Sequence, residues 1–280
     1  MDPDSFELPG FTPTVRVRLT KDISQQQLLD FPAFKTWQNT LKSSLASQYT
    51  EENHPFKKDP YTLRSVTVQS VDYFGPEKIG FVKISADVRN SKGEYLPGIA
   101  FLRGGSVAML MILRPSDSKN ERWVVMTEQA RIPAGSLRFM EIPAGMMDSG
   151  TFAGAAAKEI KEETDLEVKE KELIDLTQLA LAEAGVSESL QQAMYPSPGG
   201  SDEYIAIFLW EKVLDRQEIE DLRDKLTGLR QRGEKITVKL LNYEDLWKVG
   251  ARDAKTLAAW SLYEALKRAR HEKLLDERIW

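Results

Sequence analysis

Three glutamates, Glu159, Glu162 and Glu163, stand at positions i, i+3 and i+4 of the run Lys158-Glu159-Ile160-Lys161-Glu162-Glu163. At 3.6 residues per turn they share one helix face within an arc of roughly 100°. Carboxylates so placed repel one another, and they sit toward the C-terminal end of the helix, where the macrodipole disfavours anions. A hard divalent cation such as Mg²⁺ takes oxygen ligands and relieves that crowding. With Lys158, Lys161 and Lys169 interleaved, the same run taken alone also describes a solvated, salt-bridged face.

Other reactive side chains are scarce. The 280 residues include no cysteine, which removes disulfides, zinc–thiolate sites, iron–sulfur clusters and thiol nucleophiles. Only His54 and His271 are available for histidine chemistry. Any catalysis therefore rests on carboxylates, lysine, arginine, hydroxyls and oxygen-loving metals. The formal net charge of −5 argues against a nucleic-acid binder held by bulk electrostatics. The longest apolar run, Val107 to Leu113, is too short to span a bilayer. The acidic stretch MDPDSFELPG has no apolar core of a secretory signal. A cytoplasmic protein with neither membrane nor nucleic-acid partner is expected.

The elements that must position the glutamates read as follows. Phe152 to about Thr164 is rich in alanine, lysine and glutamate, which predicts a helix. Leu137–Glu141 reads as a short strand running into a loop at Pro143-Ala144-Gly145, where glycine permits a carbonyl to face an ion. Val107–Leu113 and Trp123–Thr127 read as buried strands joined by a polar turn. Leu173–Leu181, Tyr204–Val213 and Ile236–Leu241 are further expected strands, with a charged helix from about Arg216 to Arg232. Ala254–Arg270 is amphipathic and helical. Upstream, Asp30 and Pro32 mark a helix start, with Phe34, Trp37, Leu41 and Leu45 on one face. Val66/Val68 and Val82/Ile84/Ala86/Val88 alternate as half-buried strands do, with a turn at Phe74-Gly75-Pro76. Strands mixed with a few helices, without regular βαβ alternation, predict an α+β class. Two parts are expected, a β-rich and helical module over 1–104 and a second domain over 105–280.

From Glu141 to Val168 the chain resembles the Nudix box, in which a glycine is followed by an isolated Glu and then Arg-Glu-apolar-x-Glu-Glu-x-Gly-apolar. Gly145 matches the first glycine, and Lys158 to Leu166 the second half. Lys158 replaces the arginine, Asp165 the closing glycine and Thr151 the isolated glutamate, and the Gly145–Lys158 interval is one residue short. Phe101-Leu102-Arg103-Gly104, Thr127-Glu128-Gln129-Ala130-Arg131, Glu141-Ile142-Pro143-Ala144-Gly145 and Tyr195 to Glu203 are similar to the ADP-ribose and ADP-sugar diphosphatase branch. LPGIAFLRG, TGLRQRGEKITVKL and DAKTLAAWSLYEAL are similar to plant-type ADP-sugar diphosphatases.

The resemblance implies a Nudix fold, a mixed β-sheet between helices, with an N-terminal dimerisation module that forms a homodimer. It implies hydrolysis of an ADP-sugar to AMP and a sugar phosphate with Mg²⁺ or Mn²⁺. Glu159 and Glu163 would be metal ligands, Glu162 would ligate or orient the water, and the Ala144 carbonyl would complete the cluster. Glu234 is a further candidate as ligand or general base, or else an ordinary hairpin charge; Glu162 has the same chemistry as a base. Arg103 and Arg131 would bind phosphate oxygens, though each alone also fits a surface arginine. Glu141 would accept from nucleotide or ribose, or satisfy backbone at a strand end. Trp37, Tyr73 and Phe74 are candidates for an adenine platform, or core residues. Two other readings remain open: a catalytically weak ADP-ribose or ADP-sugar binding protein, and a Nudix hydrolase of another diphosphate such as UDP-glucose.

Overall fold

The computed structural model describes residues 4–147, 151–184, 189–228 and 235–271. It divides into two compact units. One comprises Met1–Gly105, Ser187–Gln191 and Ser197–Tyr204; the other comprises Ser106–Val186, Gln192–Pro196 and Ile205–Trp280.

In the first unit the chain runs through β1 (Ser5–Leu8), β2 (Val15–Arg18), α1 (Gln25–Asp30), α2 (Pro32–Thr50), β3 (Thr62–Tyr73), β4 (Ile79–Arg89), β5 (Tyr95–Leu96) and β6 (Ile99–Leu102). The sheet order is β1-β2-β3-β4-β5, with β6 also on β4; β2 and β3 are parallel and the remaining pairs antiparallel. The alternation read from β4 is real. Val82, Ile84, Ala86 and Val88 are buried and share a core with Leu28, Ala33 and Phe34. Asp30 does not start the long helix. It ends α1, its carboxylate taken by Gln26 and Lys35, and Phe31 separates the helices while Pro32 opens α2. Proline serves here because its missing N–H is one the first helical turn leaves unused.

The second unit contains β7 (Gly105–Pro115), β8 (Trp123–Arg131), β9 (Ser136–Glu141), β10 (Ala144–Met146), α3 (Phe152–Thr164), β11 (Ile174–Asp175), α4 (Leu176–Ala184), β12 (Tyr204–Leu214), α5 (Arg216–Glu220), β13 (Leu226–Thr227), β14 (Ile236–Asn242), α6 (Leu246–Val249) and α7 (Ala254–His271). Its sheet runs β11-β12-β7-β8-β14-β13, with β10 on β7 and β9 on β8. Nearly every residue of β7 is buried, so both faces of the sheet are covered. Ala108, Leu110, Ile112, Val124 and Met126 pack with Ala259, Tyr263 and Leu266 of α7. The opposite parity of β8 faces α3, because Gln129 reaches Glu163. Helices thus lie on either side of the sheet, in the expected α+β class. None of the described helices is long and apolar enough to cross a membrane.

Three expected elements of this unit differ, and the first is the loop expected at Pro143-Ala144-Gly145, where Ala144–Met146 instead pairs with β7 as β10. Leu173–Leu181 is not a strand: only Ile174–Asp175 pairs with β12, and α4 follows. The Asp175 carboxylate accepts from Thr177 Oγ1 and the Gln178 N–H, capping a segment of leucine and alanine that favours helix. The charged helix after Arg216 stops at Glu220. Asp224 has a positive φ of 58°, and Asp224 and Lys225 bond to Val238, drawing the chain onto the sheet edge as β13.

Candidate active site

Helix α3 begins at Thr151, whose hydroxyl accepts from the Gly154 N–H at 3.0 Å. The threonine in the place of the isolated glutamate is therefore an N-cap. The helix ends at Asp165, which adopts the left-handed conformation (φ 63°) and donates its N–H to the Lys161 carbonyl. Aspartate is one of the few side chains that tolerates this geometry, and its carboxylate pairs with Lys161 and Lys225. The backbone role of the closing glycine is thus filled by another residue.

Of the three glutamates, Glu163 is buried, with a relative exposure of 2%. Its carboxylate accepts the Ala144 N–H at 3.0 Å and Gln129 Nε2 at 3.3 Å. Burial, with the nearby Glu159 and Glu141 carboxylates adding to it, pushes the Glu163 carboxyl up to about 8. Glu159 is half-buried and lies on the β10 backbone. A Cβ at Gly145 would fall 1.8 Å from Glu159 Cδ and 2.0 Å from Oε2. Glycine is required there for close approach. Glu162 is partly exposed and pairs loosely with Lys158, at 3.9 Å.

The register of β10 explains what Ala144 offers. Ala144 stands opposite Ala108, and in the adjacent pair Met109 donates to the Pro143 carbonyl. Antiparallel pairs alternate between bonded and non-bonded, so the main-chain groups of Ala144 turn away from β7. Its N–H goes to Glu163, and its carbonyl faces the same side. Among the described residues, no three acidic or histidine side chains already form a group able to hold a metal ion.

Beside this helix lies a buried charge network. Both Glu141 oxygens are used internally: Oε1 accepts Arg131 Nε at 2.6 Å, and Oε2 accepts Lys255 Nζ. Lys255 also pairs with Asp253 at 2.9 Å. Asp253 caps α7 through the Thr256 N–H and hydroxyl, and Thr256 Oγ1 accepts the Ile142 N–H at 3.1 Å. The first residues of α7 therefore fix the strand end that carries Pro143-Ala144-Gly145. Sequence reasoning missed Gln129, Lys255, Asp253 and Thr256. All four lie in segments quoted above for the resemblance, Thr127 to Arg131 and DAKTLAAWSLYEAL, without a site role given to them, and Asp253 three residues before Thr256 is also a local capping signal for an apolar helix.

Arg103 belongs to the first unit, where it pairs with Glu203 at 3.2 Å. The N–H groups of Arg103 and Gly104 donate to Asp202, whose carboxyl burial raises. Phe101 donates to the Gly200 carbonyl, so the Pro196–Glu203 loop is bound to the end of β6. Trp37 packs on the first core, Tyr73 donates to the Asp22 carbonyl, and Phe74 stacks edge-on against Phe81. Glu234 lies outside the described residues.

A model of the NUDIX domain matches residues 104–261. "Nudix hydrolase 14, chloroplastic" of Arabidopsis thaliana is 37% identical over 260 residues, which cover 91% of this chain and 78% of that protein. Among solved structures, similarity extends to one described as an ADP compounds hydrolase, with a TM-score of 0.44 and 14% identity over 75% of this chain and 97% of that one. A T. brucei MERS1–RNA complex gives a TM-score of 0.33 and 11% identity over 54% and 55% of the two chains. With a domain match over more than half its length and a relative sharing more than a third of aligned positions, the chain belongs to the Nudix hydrolase family.

Proposed function

We propose that this Nudix hydrolase cleaves the diphosphate of ADP-ribose or an ADP-sugar such as ADP-glucose, with Mg²⁺ or Mn²⁺, to AMP and a sugar phosphate. The observation that carries the metal-dependent part is the placement of Glu159 and Glu163 against Ala144 and Gly145. The substrate class is supported by the motifs around Arg103, Arg131, Glu141 and Tyr195 to Glu203. Two carboxylates and a main-chain carbonyl are hard oxygen donors, and the like charge around Glu163 is what a cation would offset. They fit part of a magnesium shell, since that ion commonly keeps several waters.

Glu159, Glu163 and the Ala144 carbonyl would hold the ion. When bound, a divalent cation neutralises the diphosphate and lowers the pKa of a water. Glu162 or Glu234 takes a proton from the attacking water, whose oxygen bonds to one phosphorus while the bond from that phosphorus to the bridging oxygen breaks. Arg131 has its Nε held by Glu141, which leaves its Nη groups to meet phosphate oxygens. Glu141 acts through Arg131, because Lys255 takes its other oxygen. Arg103 is the second phosphate-binding candidate, and the first unit is the module expected to pair two copies.

Incubation with ADP-ribose, ADP-glucose or UDP-glucose and Mg²⁺, followed by chromatography of the nucleotides, tests this. AMP released in equal amount with sugar phosphate from the ADP compounds is the expected result. Preferential cleavage of UDP-glucose would transfer the assignment to that substrate. Binding of ADP-ribose without cleavage would mark the chain as a binding protein.

A further inference from the structure

The C-terminal turn of an α-helix leaves carbonyls without intrahelical partners. In α3 those carbonyls belong to the segment that bears Glu162 and Glu163, and Thr227 of β13 with Gly228 just after it supplies what they lack. The Gly228 N–H donates to the Glu162 carbonyl at 3.2 Å, and Thr227 Oγ1 donates to the Glu163 carbonyl. Two residues beyond Glu163, Asp165 pairs with Lys225 at 2.9 Å. Thr227 is buried and stands opposite Ile236 of β14, which stands opposite Gln129 of β8. Gln129 in turn holds the Glu163 side chain. One sheet thus grips Glu163 at both ends, its main chain by Thr227 and its carboxylate by Gln129 and Ala144.

We propose that Lys225–Gly228 is a strap that sets the position of α3 along its own axis, with Thr227 the positioning residue that keeps the Glu163 carboxylate in register with Ala144. This rests on the metal-binding role given to Glu163 above. Thr227 touches no substrate. Its hydroxyl acts through the Glu163 main chain, in the manner of the outer partners that orient metal ligands.

The test is Mn²⁺ binding by the whole protein without substrate, read from the spin resonance of free Mn²⁺. Thr227→Val keeps the shape and removes the donor, and should raise the Mn²⁺ dissociation constant about 10-fold or more. Thr227→Ser restores the hydroxyl and should return it to within about twofold of the original. At saturating Mn²⁺ the KM for ADP-ribose should be unchanged in both variants. If Thr227→Val does not fold, Thr227→Ala takes its place, with the same direction expected. Original Mn²⁺ affinity in whichever variant folds overturns the strap alone. No Mn²⁺ binding by the unmodified protein overturns the metal reading, and the strap with it.

Discussion

Replacing Gly145 by alanine adds one methyl group at the point where α3 meets β10. An ideal Cβ there lies 1.8 Å from Glu159 Cδ, whereas ordinary contact begins near 3.4 Å. The carboxylate must therefore move by about 1.6 Å, the difference of those two distances. No positive φ is involved at Gly145, so alanine imposes no left-handed strain and the strand should persist. Misplacing a reacting or positioning group by about 1 Å costs on the order of 100-fold in rate. Gly145→Ala should accordingly lower kcat for ADP-ribose by about 100-fold, with melting temperature little changed. In a Glu159→Ala background the same methyl group should have almost no further effect, since the two changes act on one contact. Steady-state kinetics of the four proteins with Mg²⁺ measure this. Turnover by Gly145→Ala close to that of the parent, or strictly additive losses, would refute the role given to Glu159.

Glu163→Gln removes a ligand charge with little change in volume and should abolish AMP release while leaving the circular dichroism spectrum intact; retained turnover would count against the metal site. In EDTA the same variant carries a pH signature. The folded protein holds a proton on Glu163 up to about 8, against 4.5 for an ordinary glutamate. Stability from this group is therefore fully present below about pH 4.5 and is lost as pH rises through about 8, a change on the order of 5 kcal/mol. Urea unfolding at several pH values should show this fall in the parent and not in Glu163→Gln; parallel curves would contradict it. Lys255→Met leaves one oxygen of the buried Glu141 without its cation and should destabilise the fold by about 3 kcal/mol in a urea melt. Adding Glu141→Gln should recover part of that loss. Excess EDTA should stop AMP release and Mg²⁺ or Mn²⁺ restore it; cleavage that survives chelation would exclude the proposed chemistry.

Helix α3 and its glutamate spacing were legible in the sequence, because helical propensity and caps are set by residues within one or two turns, whereas Pro143-Ala144-Gly145 read as the opening of a loop and its pairing with β7 as β10 was not visible there. The same locality made β4, β7, β8 and α7 readable from alternation and amphipathicity. It also misled. Leu173–Leu181 is an apolar run with no period to separate strand from helix, and Asp175 decided it by capping. Arg216–Arg232 lacks an internal stop until β14 captures Lys225 from the sheet edge. Only the tertiary structure decided which of the three glutamates is desolvated and which groups serve it. Gln129 lies 34 positions from Glu163, Thr227 lies 64 away, and Lys255 lies 114 from the Glu141 it neutralises. Sequence fixed the carboxylates along the chain by local periodicity, while burial and partners arise from strand register and helix docking, which couple residues that no local pattern connects.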